Sequence, residues 1–513
     1  MSGIGEPVRE RGAATGLAEA LDLPGPLAEV LEARGLGDVE AARRWLRPGF
    51  EDLHDPLAFA AMGRALARVE AAIRDRETVL VHGDYDVDGL TGTAVLVRAL
   101  RFLGAEVQAY VPAREDGYSF TEASLARIRA SGARLCLSVD NGTAAVEAIA
   151  RIQADGCDVI VTDHHTPGPT PCPAFAVLNP RLPDSGYPFA ELAGVGVAFK
   201  LAWALLARGR NSRGGQVATA DLLRELTALA ALGTVADLVP LVGENRALVK
   251  RGLEALAEPP SPGLRALGAS LGPRRRPLDA RDIAFGFAPR LNAAGRMAHA
   301  DLALALLLAD DPTRARDLAR KLDGLNRSRQ RAEARCFGQA LNRVDELDEE
   351  RTWPVVVVAD EDWPLGVVGI LAARLVDRYG RPALALTIDG DRPAARAQPG
   401  RRRPARPARR GRGLALRFGG HARAVGLEVP ADRAPALREA LASRPAAATT
   451  PAPPRPPQAE AEARLATWGR RELTRLLDLG PWGPGNAEPR FAARDLVLGP
   501  GRAASASPTA TWP

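Results

Sequence analysis

Apolar and polar positions change period several times along the chain. From Leu17 to Ala72 apolar residues recur at helical spacing in short stretches such as LAEVLEAR and MGRALARVEAAIRD, broken by Pro and Gly. Between Thr78 and about Pro180 short apolar runs (TVLVHG, EVQAYVP, RLCLSVD, CDVIVTD) alternate with helical ones (LTGTAVLVRALRFLG, a stretch near Thr121 to Ala130, TAAVEAIARIQADG). Runs that are apolar throughout suit strands covered on both faces, so this alternation predicts a parallel sheet flanked by helices. Helices are predicted again over Gly194 to Arg208, Asp221 to Pro240, Leu302 to Ala309 and Ala315 to Asp345. The last contains KLDGLNRSRQRAEAR, charged enough to be a solvated connector, which sets a boundary near residue 345. Beyond it PVVVVAD, GVVGILAARLVDRYG, PALALTID and LRFGGHARAVGLEV read as a smaller α/β domain. GRRRPARPARRGRG, between Gly400 and Gly413, has no recurring apolar position, and AAATTPAPPRPP, from Ala446 to Pro457, reads as a Pro-rich linker. A stretch near Leu479 to Leu498 reads as the start of a small β domain, followed by the tail GPGRAASASPTATWP. The predicted division is a helical lead-in at 1–75, a parallel-sheet domain at 76–315, a connector helix at 316–345, a smaller α/β domain at 346–445, a linker at 446–460 and a last segment at 461–513.

Two of the apolar runs empty into ionisable residues. VIVTDHH ends in Asp163, His164 and His165, and VLVHGDYDVDG ends in Asp84, Asp86 and Asp88. A third run closes on Asp140 in SVDNGT, and Asp237 follows the long apolar stretch LTALAALGTVAD. Ligands of open parallel sheets bind beyond the carboxyl ends of the strands, where these groups fall. Several carboxylates with a few imidazoles suit a pair of divalent ions, Mn²⁺ or Mg²⁺ rather than a thiolate-bound zinc. Two such ions about 3.5–4 Å apart are a known solution to phosphodiester hydrolysis, which needs a deprotonated water and charge to offset the phosphoryl oxygens. Each element also has a plain reading. Asp140 and Asp237 can be helix caps, and two adjacent His can be loop residues, although the chain holds only six His. A calcium loop at Asp84 to Asp88 would need a Glu about six residues beyond its Gly, and Thr91 to Leu96 contain none.

Composition narrows the partners. A chain of 513 residues is long enough for two or three domains. Its 68 basic and 62 acidic residues leave a net charge of +6, and with a pI near 9.5 and clustered Arg this favours an anionic partner, nucleic acid first. The four cysteines, Cys136, Cys157, Cys172 and Cys336, form no CxxC pair, as expected of a reducing compartment. MSGIGEPVRERGAATG has no apolar signal core and no run of about 18 apolar residues occurs, so neither export nor membrane spanning is expected and a cytoplasmic location is.

DYDVDG, VDNGT, DHH and GTVADL, in that order, resemble the four motifs of the DHH phosphoesterase superfamily, and GGHARAVG resembles the glycine-rich motif of its associated DHHA1 domain. HGDYDVDGLTGTA, GVGVAFKLAWAL, APRLNAAGRM and PWGPGNAEP further resemble the RecJ family within it, over about residues 20 to 498. The resemblance implies an α/β protein: a parallel-sheet DHH catalytic domain joined by a long helix to a smaller α/β DHHA1 nucleic-acid-binding domain, with an incomplete OB-like C-terminal segment. It implies a two-metal, single-strand-specific 5′-to-3′ DNA exonuclease of recombination and repair, using Mn²⁺ or Mg²⁺ and working beside a helicase and a single-strand-binding protein. Metal ligation falls to Asp86, Asp88, Asp140, His164, His165 and Asp237, with Asp84 and Asp163 beside them. Asp140 is the candidate bridge. Successive strand residues face opposite ways, so His164 and His165 share one site only if the chain has left the strand; His164 is the preferred ligand. Arg290, Asn292 and Arg296 in PRLNAAGRM, with Arg396, Gly419, Gly420 and His421 further on, are candidate contacts to the strand's phosphates. Two other readings remain: a DHH phosphodiesterase of oligoribonucleotides or cyclic dinucleotides, and a non-catalytic single-strand-binding relative. The chain departs from the family pattern at 400–413, which reads as an out-of-frame stretch or a basic loop, and at 499–513, where the OB-like sequence stops.

Overall fold

A computed structural model of the chain describes residues 14–209, 215–273, 276–347 and 355–388, the strands at 394–398, 417–421 and 424–428, a few positions between 433 and 441, and residues 458–464 and 468–493. The Arg/Pro stretch at 400–413, residues 446–457 of the expected linker and the tail at 499–513 lie outside the described residues. The chain divides into two compact units, Met1–Asn292 with Ala300–Arg320 and Pro456–Pro513, and Ala293–His299 with Lys321–Arg455.

In the first unit the apolar runs become strands β1 (Thr78–Gly83), β2 (Glu106–Tyr110), β3 (Leu135–Val139) and β4 (Asp158–Thr162), joined by a three-residue β5 (Ala176–Leu178) too short to give a periodic signal. All pairings are parallel and the order is β2-β1-β3-β4-β5. The chain steps one way from β1 to β2, then back past β1 to β3. The helices after β1 and β3 therefore diverge, and a crevice opens at the carboxyl ends of these two neighbours. The helix Val87–Leu103 is buried along nearly its whole circumference, as a helix apolar on all sides must be. It packs on the helices Gly194–Arg208 and Gly215–Ala236. The second of these starts before the expected Asp221 and stops at Ala236, where Leu238 turns into the left-handed region at φ 62°, so Asp237 sits just past the helix end.

A buried ion pair braces this layer. Lys200 and Glu244 are both inaccessible and bonded to each other; Lys200 also donates to the His54 carbonyl at 2.7 Å, and Tyr187 donates to Glu244 Oε1 at 2.7 Å.

The N-terminal helices do not form a separate lead-in. Leu17, Leu27, Leu31 and Leu46 share one core with Ala461, Leu479 and Trp482. Arg34 grips Glu460 through two bonds of 2.7 and 2.9 Å. Arg246, buried with no acid beside it among the described residues, spans the carbonyls of Trp45 (2.9 Å), Leu479 (3.2 Å) and Gly480 (2.8 Å). Burial first, and the Arg34 charge second, bring its pKa down to about 9, while carbonyls at two helix C-termini compensate the cation. The OB-like segment expected over 461–513 is not seen among the described residues. There is a helix, Arg470–Asp478, and a parallel pairing of only two residues per strand, Ala461–Glu462 beside Phe491–Ala492. Strands that short do not sustain a barrel, and the segment completes the N-terminal core instead.

In the second unit the long helix Pro312–Leu347, within which the chain passes from one unit to the other, contributes Cys336, Ala340 and Val344 to a core with Val356, Val358, Trp363, Leu371, Leu375 and Ala385. Its sheet is mixed, in the order β6-β7-β8-β10-β9: β6 (Val356–Asp360) runs parallel to β7 (Ala383–Thr387), and β8 (Ala394–Gln398), β9 (Arg417–His421) and β10 (Ala424–Glu428) are antiparallel. The α/β character expected for both parts is present. No described helix is long and apolar enough to cross a membrane.

Candidate metal centre

The switch point between β1 and β3 is where the acidic residues converge. β1 ends at Gly83, and Asp84 follows, buried with Oδ1 bonded to nothing. Asp86 caps the next helix: its Oδ1 accepts from the N–H groups of Asp88 (2.9 Å) and Gly89 (3.2 Å), leaving Oδ2 for a ligand. Gly89 is required here, because a Cβ would lie 2.5 Å from the Asp84 nitrogen and 2.7 Å from its Cα. Asp88 looks across the crevice and takes both N–H groups at the start of the helix Gly194–Arg208, Gly194 to Oδ2 at 2.7 Å and Val195 to Oδ1 at 2.8 Å.

Asp140 follows β3 with φ at 60°, a conformation that costs a non-glycine residue about 1–2 kcal/mol and that Asp tolerates better than most. The turn is held from several sides. The Asp140 N–H donates to the Thr162 carbonyl (2.9 Å), Ser138 Oγ to the Asn141 carbonyl (2.8 Å), and Asn141 Nδ2 to the Val139 carbonyl (2.8 Å). Strain kept in place by surrounding bonds is typical of functional sites.

β4 stops at Thr162, so both histidines lie in the turn beyond it and share one side of the sheet. Asp163 makes that turn. Its Oδ1 accepts from the N–H groups of His164 (2.7 Å) and His165 (3.1 Å) and from His165 Nδ1 (2.8 Å), and its Oδ2 from the Thr143 N–H (2.9 Å). The two rings end 4.7 Å apart at 63°. His164 Nε2 lies 3.1 Å from Asp140 Oδ1, 3.7 Å from Asp88 Oδ2 and 3.7 Å from Asp237 Oδ2; His165 Nδ1 is 3.7 Å from Asp140 Oδ1.

Three groups of donor atoms, each within 4.8 Å of one another, result: Asp88, His164 and Asp237; Asp84, Asp86 and Asp140; and Asp140, His164 and His165. Asp140 and His164 each belong to two. Asp163 belongs to none and stands behind the histidines as their support.

Electrostatics match a cation cradle. Burial, then the charge of Asp86, pushes Asp84 up to about 8 and Asp88 up to about 7. Burial and the other carboxylates also raise Asp140 and Asp237. His164 is brought down to about 3 by burial and by His165, which leaves it neutral with a lone pair to give. His165 is partly buried, which opposes its charge, yet Asp163 holds it up to about 9, while Asp163 itself is lowered despite its burial by His165 and Thr143. Asp84 Oδ1, Asp140 Oδ1 and both His164 nitrogens are buried without a hydrogen-bond partner. Unpaired buried carboxylates this close are strongly unfavourable unless cations lie between them, so the residues fit a divalent metal centre.

The remaining predicted site residues divide between the units. Arg290, in the first, donates to the carbonyls of Gly286 (2.9 Å) and Ser270 (3.2 Å), and Asn292 Oδ1 is buried and unpaired. Arg296, in the second, donates to the Gly366 carbonyl at 2.9 Å. Arg396 lies on β8 opposite Gly426, and Gly419, Gly420 and His421 lie on β9 opposite Gly426, Val425 and Ala424. Several participants went unseen in the sequence reading. Tyr118, from the loop after β2, donates to the Asp140 carbonyl at 2.9 Å and sits 3.1 Å from His165 Nδ1. Gly194 and Gly233 admit no Cβ, the first because of Asp140 and the second because of Thr91 and Asp88. Only the close approach of distant elements reveals them.

The sequence of the DHH family, N-terminal domain, matches residues 78–234. The chain is 38% identical over 500 residues to a curated protein of Dickeya dadantii named single-stranded-DNA-specific exonuclease RecJ, covering 93% of this chain and 84% of that protein. It is also 38% identical over 438 residues to the protein of that name from Bacillus subtilis, covering 83% of this chain but about half (53%) of the relative's length. Among solved structures, RecJ in complex with Mn²⁺ from Thermus thermophilus superimposes with a TM-score of 0.75 at 32% identity, covering 94% of this chain and 68% of that one.

Proposed function

The chain belongs to the RecJ family of single-stranded-DNA-specific exonucleases, and from that membership we propose that it removes nucleotides from the 5′ end of single-stranded DNA by two-metal phosphodiester hydrolysis at the crevice between β1 and β3. Asp86, Asp88, Asp140, His164 and Asp237 would hold the ions, Mn²⁺ or Mg²⁺, with Asp84 and His165 at the edge of the set and Asp140 between the two positions. When bound, such ions supply Lewis acidity and lower the pKa of water.

The protein's own groups account for the rest. Gly194 and Val195 aim the Asp88 carboxylate through their N–H groups. Asp163 accepts from the His165 ring and from the N–H groups of His164 and His165, which holds the turn that carries both imidazoles. Arg290, Asn292, Arg296, Arg396, Gly419, Gly420 and His421 are proposed to hold the strand. A cytoplasmic location follows from a DNA substrate, and a helicase and a single-strand-binding protein would supply and cover the strand.

The observation that carries this reading is that the three donor groups overlap, Asp140 and His164 each belonging to two of them, as adjacent ions require. Release of nucleotides from 5′-labelled single strands, compared with duplex and with and without Mn²⁺, tests it. Asp140→Ala and His164→Ala proteins should bind the strand and release nothing, and full activity in either would reject the metal assignment.

A further inference from the structure

One inaccessible amide joins the loops that follow three strands. Asn179 comes directly after β5, is fully buried, and neither faces the donor groups nor titrates. Its Nδ2 donates to Thr143 Oγ1 and to the His165 carbonyl, both at 2.9 Å, and its Oδ1 accepts from the Arg181 N–H at 2.8 Å. These partners fix the amide's orientation: the His165 carbonyl only accepts and the Arg181 N–H only donates, so nitrogen and oxygen cannot be exchanged.

The bonds continue inward. Thr143, in the loop after β3, gives its N–H to Asp163 Oδ2, and Asp163 Oδ1 holds the N–H groups of His164 and His165 and the His165 ring. Asn179, Thr143 and Asp163 are buried, so no water can replace a lost partner without cost. The His165 carbonyl would lose its side-chain donor if Asn179 were shortened, and the turn carrying both imidazoles would lose one of the bonds that hold it, leaving those from Asp163 and Tyr118.

Resting on the reading of this crevice as the exonuclease metal centre, we propose that Asn179 is a positioning residue, which sets the His164–His165 turn in register with the Asp140 loop through Thr143 and Asp163. It acts on geometry and carries no proton or charge in the reaction. Partners that orient ligands in this way typically contribute about 10–100-fold to metal affinity or activity.

The test compares full-length wild-type, Asn179→Ala, Asn179→Asp and Thr143→Val proteins below their melting temperatures. Nucleotide release from single strands gives kcat and KM for DNA, and calorimetric titration with Mn²⁺ alone gives metal affinity. Asn179→Asp keeps the shape but sets an acceptor oxygen against the His165 carbonyl, so it should fail as badly as Asn179→Ala. The expected result is a loss of about 10–100-fold in kcat, in Mn²⁺ affinity or in both, with KM for DNA little changed. The Asn179→Ala, Thr143→Val double variant should lose much less than the product of the single losses, since both interrupt one chain of bonds. A folded Asn179 variant that melts earlier yet keeps wild-type kcat and Mn²⁺ affinity would overturn the proposal, leaving Asn179 a purely structural residue. Should Asn179→Ala not fold, Asn179→Asp and Thr143→Val decide by the same readouts. Wild-type protein that neither binds Mn²⁺ nor cleaves would instead overturn the metal-centre reading.

Discussion

Adding one methyl group at Gly194 should disable the crevice without replacing a ligand. A Cβ there would sit 2.7 Å from the Cβ of Asp140 and 2.9 Å from both its Cα and Oδ1. Non-bonded carbons rest at about 3.5–4.0 Å, so one side must yield by about 1 Å. Neither side is free to do so. Gly194 is held by its N–H on Asp88 Oδ2, and Asp140 by its bond to the Thr162 carbonyl and by the Ser138 and Asn141 bonds that keep its φ at 60°. The methyl therefore pushes apart the carriers of two candidate ligands, Asp88 and Asp140. Overpacking of this kind costs about 1–3 kcal/mol of stability. A 1 Å displacement of reacting groups costs about 100-fold in rate, so Gly194→Ala should lose roughly two orders of magnitude in kcat while remaining folded at 25 °C. Single-turnover release of the first nucleotide at saturating Mn²⁺, with circular dichroism to establish folding, measures both. Gly196→Ala is the matched control, since its Cβ meets only the Leu192 side chain, tightest at its flexible end (3.1 Å to Cδ2) and at ordinary contact distance elsewhere, and it should stay close to wild type. A folded Gly194→Ala protein with wild-type kcat would refute the claim that this approach sets the site.

Two further outcomes follow from the charges. Asp84, Asp88 and His165 are held at about 8, about 7 and about 9, all above their ordinary values, so the folded metal-free protein keeps protons that the unfolded chain gives up sooner. Its stability should fall as pH rises from about 7 to 9, and Mn²⁺ should raise the melting temperature more at pH 9 than at pH 7; a metal-free melting temperature that is flat or rising over that window contradicts the charge assignment. Glu244→Ala strands the inaccessible Lys200 cation and should cost about 3–5 kcal/mol in urea denaturation, and a loss below 1 kcal/mol would show that Lys200 finds water.

Much of the first unit is legible in the sequence because burial on two faces leaves its mark on the chain. Strands β1, β3 and β4 read as apolar runs, and an ionisable residue at the end of such a run has nowhere to go but the sheet's carboxyl edge. Asp84, Asp86, Asp88, Asp140, His164 and His165 were visible for that reason. β5 was not, because three residues carry no period, and with it went the setting of Asn179. The C-terminal segment reads as the start of a small β domain because local pattern cannot say that Leu479 and Trp482 share a core with Leu27 and Leu31, more than 400 positions earlier.

What the amino-acid sequence determined by itself was the inventory: the family, the parallel sheet, and which carboxylates and imidazoles stand at strand ends. Tertiary structure alone decided their division of labour. Asp163 turns away from the donor groups to hold the histidine turn, Asp88 is aimed by two N–H groups from a helix more than a hundred positions later, and Asp140 takes a left-handed conformation between bonds from Ser138, Asn141 and Thr162. The reason is one of range. Period and composition are local properties that each residue shares with its neighbours, whereas the direction of a lone pair depends on which donors the fold brings within about 3 Å of it.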